Sequence, residues 1–91
     1  MRRVVWLQSA QDDLARLHDW LGAFERSRPA ETIQAIIDAA DALAMRDIGR
    51  PGQTPGTREF SIRGRPYLLV YKIADDEVMI LSVFHTRQHL W

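Results

Sequence analysis

The spacing of apolar residues changes once along this chain, at the segment GRPGQTPGT of residues 49–57, and the change dictates two kinds of structure on its two sides. Three glycines and two prolines in nine positions cannot continue a helix. Before the break, Ala10, Leu14, Leu17, Leu21 and Phe24 step by fours and threes, which puts them in one stripe on a helix. A second stripe of Ile33, Ile36, Ile37, Ala40, Leu43 and Ala44 follows. After the break, REFSIR, PYLLVYKI and EVMILSVFH are short, β-branched and aromatic, as strands are.

Local signals set the ends of these elements. Residues 3–8, RVVWLQ, read as a first strand. Ser9 fits an N-cap, with Asp12 at the third helical position in a capping-box-like arrangement. Pro29 belongs in the first turn of the second helix, where its missing N–H costs nothing. Gly64 and the Asp75-Asp76 pair mark the turns between the last strands. The order is β-α-α-β-β-β, which predicts an α+β fold: an antiparallel meander sheet covered on one face by an N-terminal helical hairpin. Strand alternation sets Phe60 and Ile62 against Glu59, Ser61 and Arg63, but leaves the last two strands apolar on both faces. A sheet with one helical cover should be polar on its open face, so an apolar open face implies a partner.

A chain of 91 residues holds one domain with a thin core, here residues 1–91. The absence of cysteine removes disulfides, thiol catalysis and zinc–thiolate sites. The apolar run after Arg2 and Arg3 is too short for a signal peptide, and no stretch is long enough to span a membrane, so a cytoplasmic protein is expected. Net charge is zero but unevenly placed. Residues 9–48 are acidic on balance, whereas residues 49–72 carry Arg50, Arg58, Arg63, Arg65 and Lys72 against Glu59 alone. That pattern predicts a positive face on a neutral molecule, or an ordinary solvated surface.

These features together resemble the RelE/ParE toxin superfamily. The residues that carry the likeness are Ala10-Gln11-Asp12-Asp13-Leu14 at the first helix, Gly49-Arg50-Pro51-Gly52 after the second, and Gly56-Thr57-Arg58-Glu59 at a strand start. They continue with Leu69-Val70-Tyr71 and with Ile80-Leu81-Ser82-Val83-Phe84-His85-Thr86-Arg87 in the last strand. The resemblance spans nearly the whole chain and implies the toxin half of a type II toxin–antitoxin pair, neutralised by a cognate antitoxin protein. RelE-type members cut messenger RNA on the ribosome. ParE-type members poison DNA gyrase and have no established conventional hydrolytic site. The first-helix and Gly-x-Arg-Glu patterns lie closer to the ParE-like branch.

Cleavage of RNA through its 2′-hydroxyl needs a base, a cation for the phosphorane and a donor for the leaving oxygen. His85 suits the acid or base role, Arg58, Arg63 and Arg65 the phosphate, and Glu59 a base. Each has a structural alternative: Arg63-Gly64-Arg65 as a solvated turn, Glu59 as an ion-pair partner, His85 as a hydrogen-bonded strand end. Arg63, Arg87, His89, Trp91 and Tyr71 are the candidates for contact with a target or antitoxin. His85 and His89 are four apart, but no third ligand accompanies them, so no metal and no cofactor are expected. GRPGQTPG lacks the Lys-Ser/Thr ending of a phosphate loop. Trp6, Trp20 and Trp91 read as core or interface rather than as base-stacking platforms.

Zero net charge and a single lysine, Lys72, argue against a nuclease that approaches the ribosome's phosphates. The reading is therefore a toxin that binds an essential target, DNA gyrase on the ParE-like branch. The alternatives are a ribosome-dependent endoribonuclease acting on messenger RNA and an inert co-repressor that only binds antitoxin.

Overall fold

The computed structural model describes residues 1–24 and 28–89, with no side chains described for residues 88 and 89. Its elements are β1 (Arg3–Trp6), α1 (Gln8–Leu21), α2 (Pro29–Met45), β2 (Arg50–Pro51), β3 (Arg58–Ser61), β4 (Tyr67–Ala74) and β5 (Glu77–His85), followed by a 3-10 turn, Thr86–His89. The strands form one sheet in the order β1-β5-β4-β3-β2. β2 to β5 make the antiparallel meander, and β1 adds to β5 in parallel, so the sheet is mixed. Two features went beyond expectation. β1 returns beside the last strand, and residues 50 and 51 of the predicted loop pair with β3, with Pro51 on the sheet's edge, where a missing N–H is tolerated.

Both helices pack on one face. Ala10 from α1 and Ile36, Ala40 and Leu43 from α2 are fully buried against Leu69, Tyr71, Val78 and Ile80 of the sheet. Burying such side chains is worth about 1.5–3 kcal/mol each and supplies most of the drive to fold. Pro29 opens α2 as its fixed φ predicts. Gly64 and Asp75 both take positive φ in their turns.

The Ser9 cap is overturned. α1 starts earlier, at Gln8, with Leu7 as its cap residue and no side-chain cap bond. Ser9 Oγ instead donates to the carbonyl of Leu81 at 2.6 Å, and Asp13 Oδ2 accepts from the amide of Val83 at 2.9 Å. β1 ends at Trp6, opposite Ile80, so beyond that point β5 has no strand on this side. Ser9 and Asp13, one helical turn apart, satisfy the edge in its place.

A β-bulge at Val70/Tyr71 gives β5 one extra residue, Leu81. Ile80 and Val83 consequently share the helix-facing side, and simple alternation of Ile80 with Ser82 does not hold. The second face carries Val5, Val70, Met79, Leu81 and Phe84, all half-buried, as well as the fully buried Leu68. No helix among the described residues is long and apolar enough to cross a membrane.

Candidate functional site

Along α1, Arg16 and Leu17 each lie three or four residues from both Asp13 and Trp20, so the four share a face. That face stands over the C-terminal half of β5. Between them lies a groove of about 910 Å³, lined also by Tyr67, Val83, Phe84, His85 and Arg87. Trp20 is 54% exposed and packs edge-on against Phe24, which is 50% exposed, so large apolar area stays in solvent at the groove's mouth.

His85 closes the groove at the end of β5. Its ring stands edge-on to Tyr67 with centroids 5.7 Å apart, and its Nδ1 accepts from the Arg87 amide at 3.2 Å. With Nδ1 accepting, the neutral ring carries its proton on Nε2. Burial pushes the Tyr67 phenol up and the nearby Arg65 pulls it down, with a net rise. Asp13 is committed to Arg16 at 2.6 Å and to the Val83 amide.

The arginines named from the sequence stand elsewhere. Arg58 Nε lies 2.9 and 2.8 Å from the two carboxylate oxygens of Asp47, and its Nη2 donates to the Gly49 carbonyl at 2.6 Å. Tyr71 Oη donates to Asp47 at 2.6 Å and accepts from the Gly49 amide at 3.1 Å. Burial raises the Asp47 carboxyl, but the bonds from Tyr71, Arg58 and Gly49 outweigh it and hold it below its ordinary value. Hydrogen bonding to Tyr71 and then to Asp47 raises the Arg58 guanidinium. Burial, then the bond to Asp47, pushes the Tyr71 phenol up. This network fastens the segment after α2 to the sheet.

Arg58 pairs opposite Tyr71 and His85 opposite Tyr67, four residues apart on β4. At about 3.4 Å per residue they are separated by roughly 13 Å along the strand alone. Arg65 turns to α2, where its Nη1 donates to Thr32 at 3.1 Å. Arg58 thus stands apart from His85, whereas Arg65, though bonded to Thr32, lies near Tyr67, the ring that packs on His85. Glu59 is 4% exposed on the second face, where it accepts from the Gln53 amide at 3.2 Å and lies 3.6 Å from Arg50. Tyr71 is fully buried, so a direct contact with target or antitoxin is corrected to a structural role. Arg63 and Arg87 are exposed. The side chain of His89 and the whole of Trp91 lie outside the described residues. Asp47 and Asp13 were missed as structural anchors, although the spacing of 13, 16, 17 and 20 was there to be read.

The α+β fold of two helices and a five-strand mixed sheet matches that of toxins of the RelE/ParE superfamily. The model of the ParE toxin of type II toxin–antitoxin systems, parDE, matches residues 4–90, and the chain belongs to that family. It is 39% identical over 92 residues to the candidate toxin Y4kP of Sinorhizobium fredii, covering 96% of this chain and 91% of that protein. In fold it is similar to a chain of the chromosomal ParDE system from P. aeruginosa, with a TM-score of 0.83, 22% identity, and 93% and 96% of the two chains covered. It is also similar to a chain of the RelBE2 toxin–antitoxin complex of Mycobacterium tuberculosis, with a TM-score of 0.66, 25% identity, and 92% and 90% covered.

Proposed function

We propose that this ParE-family toxin stops growth by seating on an essential protein, with DNA gyrase as the target, and that a cognate antitoxin neutralises it in the cytoplasm. The observation that carries the reading is the separation of the would-be catalytic groups. Arg58 is consumed by Asp47 and Gly49 roughly 13 Å from His85, Arg65 is turned to Thr32, and Glu59 is buried on the other face. The groove offers instead exposed Trp20 beside Leu17 and the cation Arg87, the mixture that anchors protein interfaces. Association with an antitoxin is supported by the family and by the complexes in which its structural relatives occur.

A ribosome-dependent nuclease is the second reading. It is favoured by His85, Arg87 and Arg16 lining one groove, and there His85 is the acid–base group. Induced expression separates the two. Gyrase-dependent DNA breakage with intact messenger RNA is the expected result. Messenger RNA cleavage that disappears in His85→Ala would overturn the gyrase reading.

A further inference from the structure

We propose that the sheet face turned away from the helices is a second contact surface for the toxin's target, shaped for an apolar side chain of that protein flanked by carboxylates. The inference rests on the reading above that the target is a protein. Residues paired directly across neighbouring strands share a face. The register therefore sets Arg50, Glu59, Val70 and Ser82 in one row of this face, and Lys72, Met79 and Val5 in another. A sheet covered by helices on one side ordinarily turns polar side chains to water on the other. Here Val5, Val70, Met79, Leu81 and Phe84 stand half-buried instead.

The face is also hollowed. The segment after β2 folds on itself: the Gly52 amide donates to the Thr57 carbonyl at 2.8 Å, and Thr57 Oγ1 to the Thr54 carbonyl at 2.6 Å. Glu59 fastens that segment to the sheet by accepting from the Gln53 amide. Between the segment and the strands lies a cavity of about 410 Å³, whose lining includes Val70, Leu81, Phe84 and Lys72. Its wall is bonded in place before anything binds, which lowers the cost of binding.

Charge decides the occupant. Glu59 is 4% exposed and lies 3.6 Å from Arg50, and Glu77 on the same face pairs with Arg3. Arg50 and Lys72 are exposed, and among the described residues no carboxylate pairs with Lys72. An incoming surface meets an apolar hollow with two cations at its rim, the complement of an acidic partner. A second copy of this chain would bring the same cations against these. A nucleic acid would find, among the described residues, Phe84 alone to stack on. The helices lie on the opposite side, so a segment seated in their groove leaves this surface open.

The test is Lys72→Glu in the full-length chain, with Lys72→Arg beside it. Each is measured for affinity to purified DNA gyrase, for affinity to the antitoxin encoded beside the toxin, and for growth arrest on induction. Lys72→Glu should weaken gyrase binding roughly tenfold or more and blunt growth arrest, and Lys72→Arg should restore both. Antitoxin affinity and melting temperature should not move. Unchanged gyrase binding and unchanged arrest in Lys72→Glu overturn the surface and leave the gyrase reading standing. A wild type that does not bind gyrase removes gyrase as the target. The surface then stands if Lys72→Glu loses arrest and Lys72→Arg restores it, and falls otherwise. An equal loss of antitoxin affinity overturns the assignment to the target. So does binding of a single-stranded RNA oligonucleotide that Lys72→Glu abolishes, or a dimer of the free chain whose strength changes with Lys72→Glu.

Discussion

Tyr71, fully buried in the middle of the sheet, donates its hydroxyl to Asp47 at 2.6 Å, and so a central strand holds the start of the segment that follows α2. Tyr71→Phe leaves the Gly49 amide and one Asp47 oxygen without this partner. It should cost about 1–3 kcal/mol in denaturant unfolding. An unchanged midpoint would show that the hydroxyl contributes nothing to holding this segment.

The same pair predicts a pH dependence. The folded Asp47 carboxyl lies below its ordinary value, so its contribution is complete above that value and fades as pH falls through the folded one. The folded Tyr71 phenol lies above its ordinary value, so its contribution holds below that value and fades as pH rises through the folded one. Because Asp47 is about one-third exposed, solvent reduces the acid effect. The stability gap between wild type and Tyr71→Phe should be widest at neutral pH and shrink at both ends; a flat gap would contradict the coupling.

Gly49 has no room for a side chain. A Cβ there would meet the Tyr71 hydroxyl and lie 2.6 Å from the Glu59 carbonyl. Gly49→Ala should destabilise by roughly 1–3 kcal/mol through overpacking, read as a lowered melting temperature.

Asp13 serves Val83 across the helix–sheet boundary. Asp13→Ala strands a part-buried amide and should cost about 1–3 kcal/mol, whereas Asp13→Asn keeps an acceptor and should recover most of it. Equal losses in the two variants would mean that charge, not the bond, matters.

Toxicity should respond in a graded manner to the groove. Trp20→Ala and Arg87→Ala should each reduce it, since aromatic and arginine anchors carry interfaces, and His85→Ala should leave a measurable fraction. A nuclease would lose about 10²–10⁴ in rate with His85 alone. Growth curves on induction, with antitoxin binding as the folding control, distinguish the patterns.

Much of the architecture was readable because period and turn chemistry are local. Pro29, Gly64, the Asp75 turn and the two apolar stripes lie where spacing puts them, except for Phe24, which lies beyond the end of α1 and is 50% exposed. What escaped depends on partners distant in sequence. Ser9 looks like a cap until β5 arrives 72 residues later to claim its hydroxyl. Arg58 looks like a phosphate ligand because Asp47, eleven residues earlier, belongs to no motif. Tyr71 was taken as a candidate for contact with target or antitoxin, although its central position on β4 buries it. Trp20 was assigned to core or interface, and the missing cover over α1 leaves it 54% exposed.

The extra residue in β5 divides that strand into two stretches half a pleat out of step. Before Leu81 the even-numbered side chains, Val78 and Ile80, face the helices; after it the odd-numbered ones do, Val83 and His85. A scan of every substitution along β5 should therefore show intolerance at even positions switching to odd positions across one residue. An insertion or deletion between Leu81 and His85 would turn His85 away from the helices, so the bulge sets which side of the sheet carries the histidine.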